Sequence, residues 1–191
     1  FGGISLSHES SAKLTDTKYS IFEGDEYKSS PTDTTPKFVY YKPSHLLLSA
    51  VSWDHADLYP TEESYFDVFK NLISNIPNTG LLVVNSDNEK AKELVQGSLC
   101  KKVIWYGKEN ADYIYSDLVQ NTSGLDFNIK HKENIFKIHS EMIGSFQAEN
   151  ITGCFAMAHS IGINPDDIIK AIANFRGLKR RLEKRYTGKV A

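Results

Sequence analysis

The stretch that most limits how this chain can fold is the apolar run His45-Leu46-Leu47-Leu48-Ser49-Ala50-Val51. Nearly every side chain in it is apolar, so both faces of the strand it forms must be buried. That is the mark of a parallel sheet covered by helices on each side. The residues beyond it support this reading. Thr61 is a helix cap, with Glu62, Glu63 and Ser64 in the first turn behind it. Apolar residues then fall at 65, 66, 69, 72, 73 and 76, spacings of three and four that place them on one helical face. Pro77-Asn78-Thr79-Gly80 breaks that helix. Leu81 to Asn85 reads as a second buried strand, Glu89 to Gln96 as a short helix, and Val103 to Tyr106 as a third core strand. Alternating strands and helices of this kind predict parallel βαβ wiring.

The texture changes from Asp112 to His139. Alternating stretches such as Tyr113-Ile114-Tyr115, Leu125 to Ile129 and Ile135 to Ile138 are separated by Thr122-Ser123-Gly124 and Lys132-Glu133-Asn134. They predict a small antiparallel sheet over about 112–139. A helix follows from about Gln147 to Ile161. Another opens at Asn164-Pro165, with Asn164 as cap and Pro165 at the first helical position. It carries Ile168, Ile169, Ile172 and Phe175 inward. The fold class is therefore α/β: a mostly parallel sheet flanked by helices, with a small antiparallel sheet attached. Before this body, residues 1–20 are polar and read as irregular. Tyr19 to Phe22 read as a short strand delivering Glu23-Gly24-Asp25-Glu26. Residues 28–36 read as a turn-rich loop and Lys37 to Tyr41 as a short amphipathic turn ended by Pro43.

Size and charge narrow the function classes. The 191 residues suit one generous domain, or one with a small appendage. Apolar residues make up 40% and aromatics 12%, enough for a core. A formal net charge of −2 supplies no basic face for nucleic-acid phosphates, so no nucleic-acid partner is expected. No apolar run approaches the roughly 20 residues that span a bilayer, so no membrane partner is expected either. The N-terminus has no basic segment followed by an apolar stretch, and so does not read as a signal peptide. The two cysteines, Cys100 and Cys154, form no disulfide framework, and a reducing cytoplasm is the expected location. Cys154 sits in an apolar helical pattern and is expected to be buried. The chain opens at Phe1-Gly2-Gly3-Ile4 without an initiator methionine. It closes at Thr187 to Ala191 in what reads as the start of a strand. Both ends read as cuts, or limits of order, inside a longer protein.

Four groups of residues can carry chemistry. Glu23, Asp25 and Glu26 crowd three carboxylates into four positions, a donor set that suits Mg²⁺; a solvated acidic turn is the plain alternative. Asp54-His55-Ala56-Asp57 follows a buried strand, where α/β sheets bind ligands. If the rims of neighbouring strands converge, Glu23 and His55 flank one cation; a structural histidine is the alternative. The helix start at Phe146, Gln147 and Asn150 offers a ring to stack and amides to read a base edge, against an ordinary polar helix start. Lys179-Arg180-Arg181 offers guanidinium forks to phosphate or carboxylate, against a solvated basic helix end. No Gly-x-x-x-x-Gly-Lys-Ser/Thr loop, Gly-x-Gly-x-x-Gly, Cys-x-x-Cys or His-Glu-x-x-His occurs.

Taken in order, several segments resemble the Mur ligase family. Gly2-Gly3-Ile4 with Ser11-Ala12-Lys13-Leu14 is similar to the stretch after the first helix behind the family's P-loop. Phe22-Glu23-Gly24-Asp25-Glu26-Tyr27 resembles its acidic strand end, and Pro36 to Pro43 the segment behind that. Trp53-Asp54-His55-Ala56-Asp57-Leu58-Tyr59-Pro60 is the most specific match. Asn150 with Ala156 and Ala158 resembles the adenine-side helix, and Phe175 to Glu183 the close of the central domain. The likeness covers nearly the whole chain.

The resemblance implies a three-domain ATP-dependent ligase. Its N-terminal domain would hold UDP-N-acetylmuramate, its central domain ATP, and its C-terminal domain the incoming amino acid or peptide. Residues 1–191 would be the central ATP-binding domain without its P-loop, which should precede Phe1, and 176–191 would run out towards an absent C-terminal domain. The resemblance makes Glu23 and His55 Mg²⁺ ligands and Asn150 an adenine contact, with Phe146 and Gln147 beside it. One of Arg180 and Arg181 becomes a phosphate-side contact. Lys70 lies loosely where some sister ligases carry a carbamylated lysine. Departures from the family pattern are Ala50 for a usual Asn, Phe146-Gln147 for a usual His-Asn pair, and Lys28 for a usual Asp. Ala50, Phe146 and Gln147 motivate a second reading, a catalytically weakened Mur-like domain kept as a binding module.

Overall fold

The computed structural model describes residues 3–7 and 12–182. The basic stretch beyond Leu182 and the strand start expected over 187–191 lie outside the described residues, as do Gly2 and Ser11. The frame is one six-stranded sheet in the order β3-β4-β5-β6-β7-β8. β3 (His45–Leu48), β4 (Leu81–Asn85) and β5 (Val103–Gly107) run parallel. β6 (Tyr113–Asn121) pairs parallel with β5 through only Tyr106↔Tyr113 and Gly107↔Ile114, and so extends past the end of β5. β7 (Gly124–His131) and β8 (Asn134–Ser140) complete an antiparallel meander with β6. The expected antiparallel strands are present, and they continue the parallel sheet at its edge.

β4 shows why the apolar runs are continuous. Leu82 and Val84 point to one face of the sheet and join α2 (Glu62–Ser74) and α3 (Glu89–Val95) in one core cluster. Leu81 and Val83 point to the other and join α4 (Phe146–Ser160) and α5 (Pro165–Asn174) in a second. A strand with helices on both faces has no polar face to alternate with. The α2 stripe predicted at 65, 66, 69, 72, 73 and 76 is wholly buried. Thr61 caps α2 with a reciprocal pair: its side chain accepts from Ser64 N–H, and Ser64 bonds back to the Thr61 backbone.

Three local expectations are corrected. Tyr19 to Phe22 form no strand; Ile21 and Phe22 are exposed, and Phe22 stacks on Tyr41 with ring centroids 5.0 Å apart. The stretch read as a loop over 28–36 instead holds a two-stranded hairpin, β1 (Lys28–Ser30) and β2 (Asp33–Pro36), leading into α1 (Lys37–Tyr41). Cys154 is exposed, and Cys100 is the buried thiol. Among the described residues no helix is long and apolar enough to cross a membrane.

α4 approaches the sheet closely because Gly153 has no side chain. A Cβ there would lie 2.7 Å from the Cζ of Tyr106 and 3.0 Å from Leu47 Cδ1. Helix propensity favours alanine over glycine by about 1 kcal/mol. Overpacking costs about 1–3 kcal/mol, and Tyr106 is fully buried, so its ring cannot swing aside. The expected outcome for Gly153→Ala is a net loss of about 1–2 kcal/mol, read as a lower urea midpoint at unchanged slope.

Candidate functional site

The carboxyl ends of β3, β4 and β5 define one rim, and the loop after β3 brings His55 to it. His55 has φ of 55°, a left-handed conformation uncommon for a residue with a side chain. Its carbonyl accepts from both Leu58 N–H (2.8 Å) and Tyr59 N–H (2.9 Å), and its own N–H donates to Asp54 Oδ1 at 2.7 Å. Trp53 Nε1 donates to the Tyr59 carbonyl at 2.9 Å and closes the loop from the other side. The imidazole is thus held on a tight, fully bonded turn.

The acidic segment docks on this turn. His55 Nε2 lies 3.0 Å from Glu26 Oε1. Tyr59, 7% exposed, donates its hydroxyl to the Glu26 carbonyl, and Tyr27 donates its hydroxyl to Asp57 Oδ2 at 3.0 Å. Asp25 faces away: one oxygen takes the Lys37 ammonium at 2.6 Å and the other the Tyr27 N–H at 2.8 Å. Burial works to raise the Asp25 carboxyl, but Lys37 and the Tyr27 N–H outweigh it and hold it below the usual carboxylate range. Tyr65 lies beneath the junction. Burial first, then the Glu26 and Asp54 carboxylates, push its phenol well above its ordinary value.

The structure therefore joins the acidic segment to the Asp-His pair through Glu26. Glu23 lies three residues earlier, on exposed irregular chain. Glu26 and Tyr59 stand inside motifs visible in the sequence, but their links to one another depend on the docking geometry. Among the described residues no group of three or more histidine, cysteine or carboxylate side chains forms a ready metal cage. Mg²⁺ does not need one: it is commonly held by one or two carboxylates, with substrate phosphates and water completing its shell. The Glu26 carboxylate at the rim, with the His55 imidazole 3.0 Å from it, is a donor of that kind. Lys70 pairs with Asp67 at 3.0 Å on the exposed side of α2.

A second feature is a groove of about 1530 Å³ between α4 and α5, where Phe146, Gln147, Asn150, Cys154 and Arg181 are among the lining residues. Asn150, Cys154 and Ala158 succeed one another at helical spacing along this wall. Gly144, with φ of 105°, precedes α4, and the Phe146 ring folds back over it. Phe146 remains 51% exposed. After α5, the chain at 177–179 is bound to the N-terminal segment by Leu6 N–H to Gly177 O (2.9 Å) and Lys179 N–H to Ile4 O (2.8 Å). This tie holds Arg181 at the groove. Arg180, with φ of 63°, is exposed beside it.

Residues 4–158 match the Mur ligase middle domain family. The chain belongs to that family. It is 30% identical over 182 residues to the UDP-N-acetylmuramate–L-alanyl-γ-D-glutamyl-meso-2,6-diaminoheptandioate ligase of Haemophilus influenzae, covering 95% of this chain and 40% of that one. It is 27% identical over 173 residues to the UDP-N-acetylmuramate–L-alanine ligase of Dictyoglomus turgidum, covering 90% and 36%. The chain thus spans less than half the length of these Mur ligases. In fold it is similar to the crystal structure of the UDP-N-acetylmuramate:L-alanyl-γ-D-glutamyl-meso-diaminopimelate ligase from Neisseria meningitidis. There the TM-score is 0.72 at 24% identity, over 83% of this chain and 48% of that one. The MurF ligase of Thermotoga maritima, solved in complex with ADP, matches with a TM-score of 0.63 at 16% identity, over 75% and 33%.

The Tyr59 hydroxyl supports the junction from below. Removing it in Tyr59→Phe leaves a partly buried Glu26 carbonyl without that donor. The expected cost is about 0.5–1.5 kcal/mol, measured as a lowered urea midpoint.

Proposed function

We propose that this chain is the ATP-binding middle domain of a cytoplasmic ligase that joins UDP-N-acetylmuramate to an amino acid or peptide in peptidoglycan synthesis or recycling. In that reaction the muramyl carboxylate attacks the γ-phosphorus of ATP and releases ADP. The amine of the incoming amino acid or peptide then attacks the acyl phosphate, forming the amide and releasing phosphate. The observation that carries the proposal is the docking of the acidic segment on the His55 turn at the rim, in a chain of this family. On this reading residues 1–191 belong to the central domain.

Glu23 and His55, with Glu26 adjoining, would hold Mg²⁺. The ion would offset negative charge on the transferring phosphoryl group. Asn150 reads the adenine edge, Gln147 and Phe146 border the base, and Arg181, with Arg180 next to it, faces phosphate. The Phe146-Gln147 pair favours one second reading, a Mur-like domain retained for binding.

Assay of the full-length protein separates the two readings. The ligase reading expects ADP release that requires both UDP-N-acetylmuramate and the amine substrate. It also expects His55→Ala to lower that rate by at least about 100-fold, beyond what loss of an outer-shell partner costs. ADP release indifferent to the acceptor substrates, or unaffected by His55→Ala, would reject it.

A further inference from the structure

The body of α4 is fixed by the core, where Ile151 and Phe155 are buried, but Phe146 at its first position lies outside that core. Its ring is half exposed and lines the groove. It is reached from the sheet by the short loop 141–145, which joins β8 to α4. Gly144 in that loop has φ of 105°, and a Cβ there would collide with Cε1 of the Phe146 ring. The ring therefore rests on the bare Cα of Gly144, and a shift of Gly144 moves the surface beneath it.

An amide side chain ties this loop to a neighbouring element. Gln120, near the end of β6, accepts from Gly144 N–H with its Oε1 at 2.9 Å. Its Nε2 donates to the Gly124 carbonyl at 2.6 Å and, at 3.3 Å, to the Asn121 carbonyl. An N–H at one end and a carbonyl at the other leave one orientation for the amide. Neither an ionised carboxylate nor an apolar side chain can make both bonds. The far end of the clamp is firm. The β6–β7 turn folds on Asn121 Oδ1, which takes Ser123 N–H at 2.8 Å and Gly124 N–H at 3.2 Å. Gly124 sits so close to the end of β8 that a Cβ there would strike the Ser140 carbonyl oxygen. Ser123, in the same turn, lines the groove with Phe146. Gln120 thus bolts the loop before α4 to a turn that is itself seated on the sheet.

We propose that Gln120 is a positioning residue for nucleotide binding: by clamping Gly144 to the β6–β7 turn it fixes the surface under the Phe146 ring, and with it the place of that ring beside the base. The inference rests on the reading of the groove as a nucleotide site. Stacking depends on how one ring lies over the other, so a ring whose support drifts loses much of what it offers a base. On the same reading the phosphates are held at the rim and by Arg181. The effect of the clamp therefore falls on the base half of the ligand. Gln120 is exposed and Gly144 half-buried, so water can satisfy the groups that loss of the clamp would free. The domain then stays folded, and what it loses is the direction of the loop.

The test is direct titration of the full-length ligase with Mg²⁺–ATP and with Mg²⁺–tripolyphosphate, which carries the phosphates without the base. Gln120→Met keeps the length of the side chain and removes both hydrogen bonds. It is expected to raise the ATP Kd and KM about 3–10-fold while kcat and the tripolyphosphate Kd change less than about twofold, the pattern of lost base binding without lost chemistry. Phe146→Ala is expected to weaken ATP binding in the same way. Adding Gln120→Met to it is expected to change the ATP Kd by less than about twofold more, because the clamp acts through the ring. Equal ATP Kd for wild type and Gln120→Met would overturn the inference. So would equal losses for ATP and tripolyphosphate, or losses that multiply in the double variant. A wild-type enzyme that binds ATP no more tightly than tripolyphosphate would instead overturn the nucleotide reading of the groove, and this inference with it.

Discussion

Burial of β4 on both faces is the constraint from which the other placements follow. Leu81 to Val84 are all at most 2% exposed, alternate residues feeding opposite cores. Such a strand must have helices above and below it, and it must have neighbours on both edges, because its backbone groups are cut off from water. β3 and β5 supply those neighbours, both parallel to it. Parallel strands put their carboxyl ends on one rim. The Asp54-His55 loop after β3, the Asn85-Ser86-Asp87 corner after β4 and Lys108 after β5 therefore share a neighbourhood, although they lie far apart in the chain.

The rim then takes on a conformation that the sheet alone would not choose. A left-handed His55 is disfavoured by sterics, with a cost of order 1–3 kcal/mol. Several bonds converge to hold it: two amides on its carbonyl, Asp54 on its own N–H, and Glu26 on its ring. The Lys37–Asp25 pair adds little energy, since both side chains are more than a third exposed. Its effect is one of direction. With Asp25 turned to Lys37, it is Glu26 that meets the imidazole.

Much of this architecture was legible in the residues. Thr61 with Ser64 announced a capped helix, the apolar runs announced doubly covered strands, and Asn164-Pro165 announced the start of α5. The misreadings share one physical cause. Tyr19 to Phe22 carry the apolar content of a strand, but a strand also needs a neighbour to accept its N–H groups, and a one-dimensional pattern does not name one. The 28–36 segment carries turn residues, and its hairpin depends on a pairing across Ser30 and Asp33. Cys154 follows an apolar helical rhythm because α4 is apolar almost all round, so its groove side could not be told from its core side by periodicity. His55 reaches the rim because the loop that leaves the carboxyl end of a buried strand must lie there. That Glu26 would be its partner depends on where the segment before β1 comes to rest.

The same limit bears on α4, where one helix serves two surfaces. Its buried side mixes small residues, Ala148, Thr152, Gly153 and Ala156, with the larger Ile151 and Phe155, and the small ones let the helix lie close to β5 and rest on the Tyr106 ring. Close packing of small side chains fixes the distance between helix and sheet well. The fully buried Phe155 ring, packed against Phe136 and Tyr113, keys the helix against rotation, so the groove side that carries Asn150, Cys154 and Ala158 is set by the core beneath it.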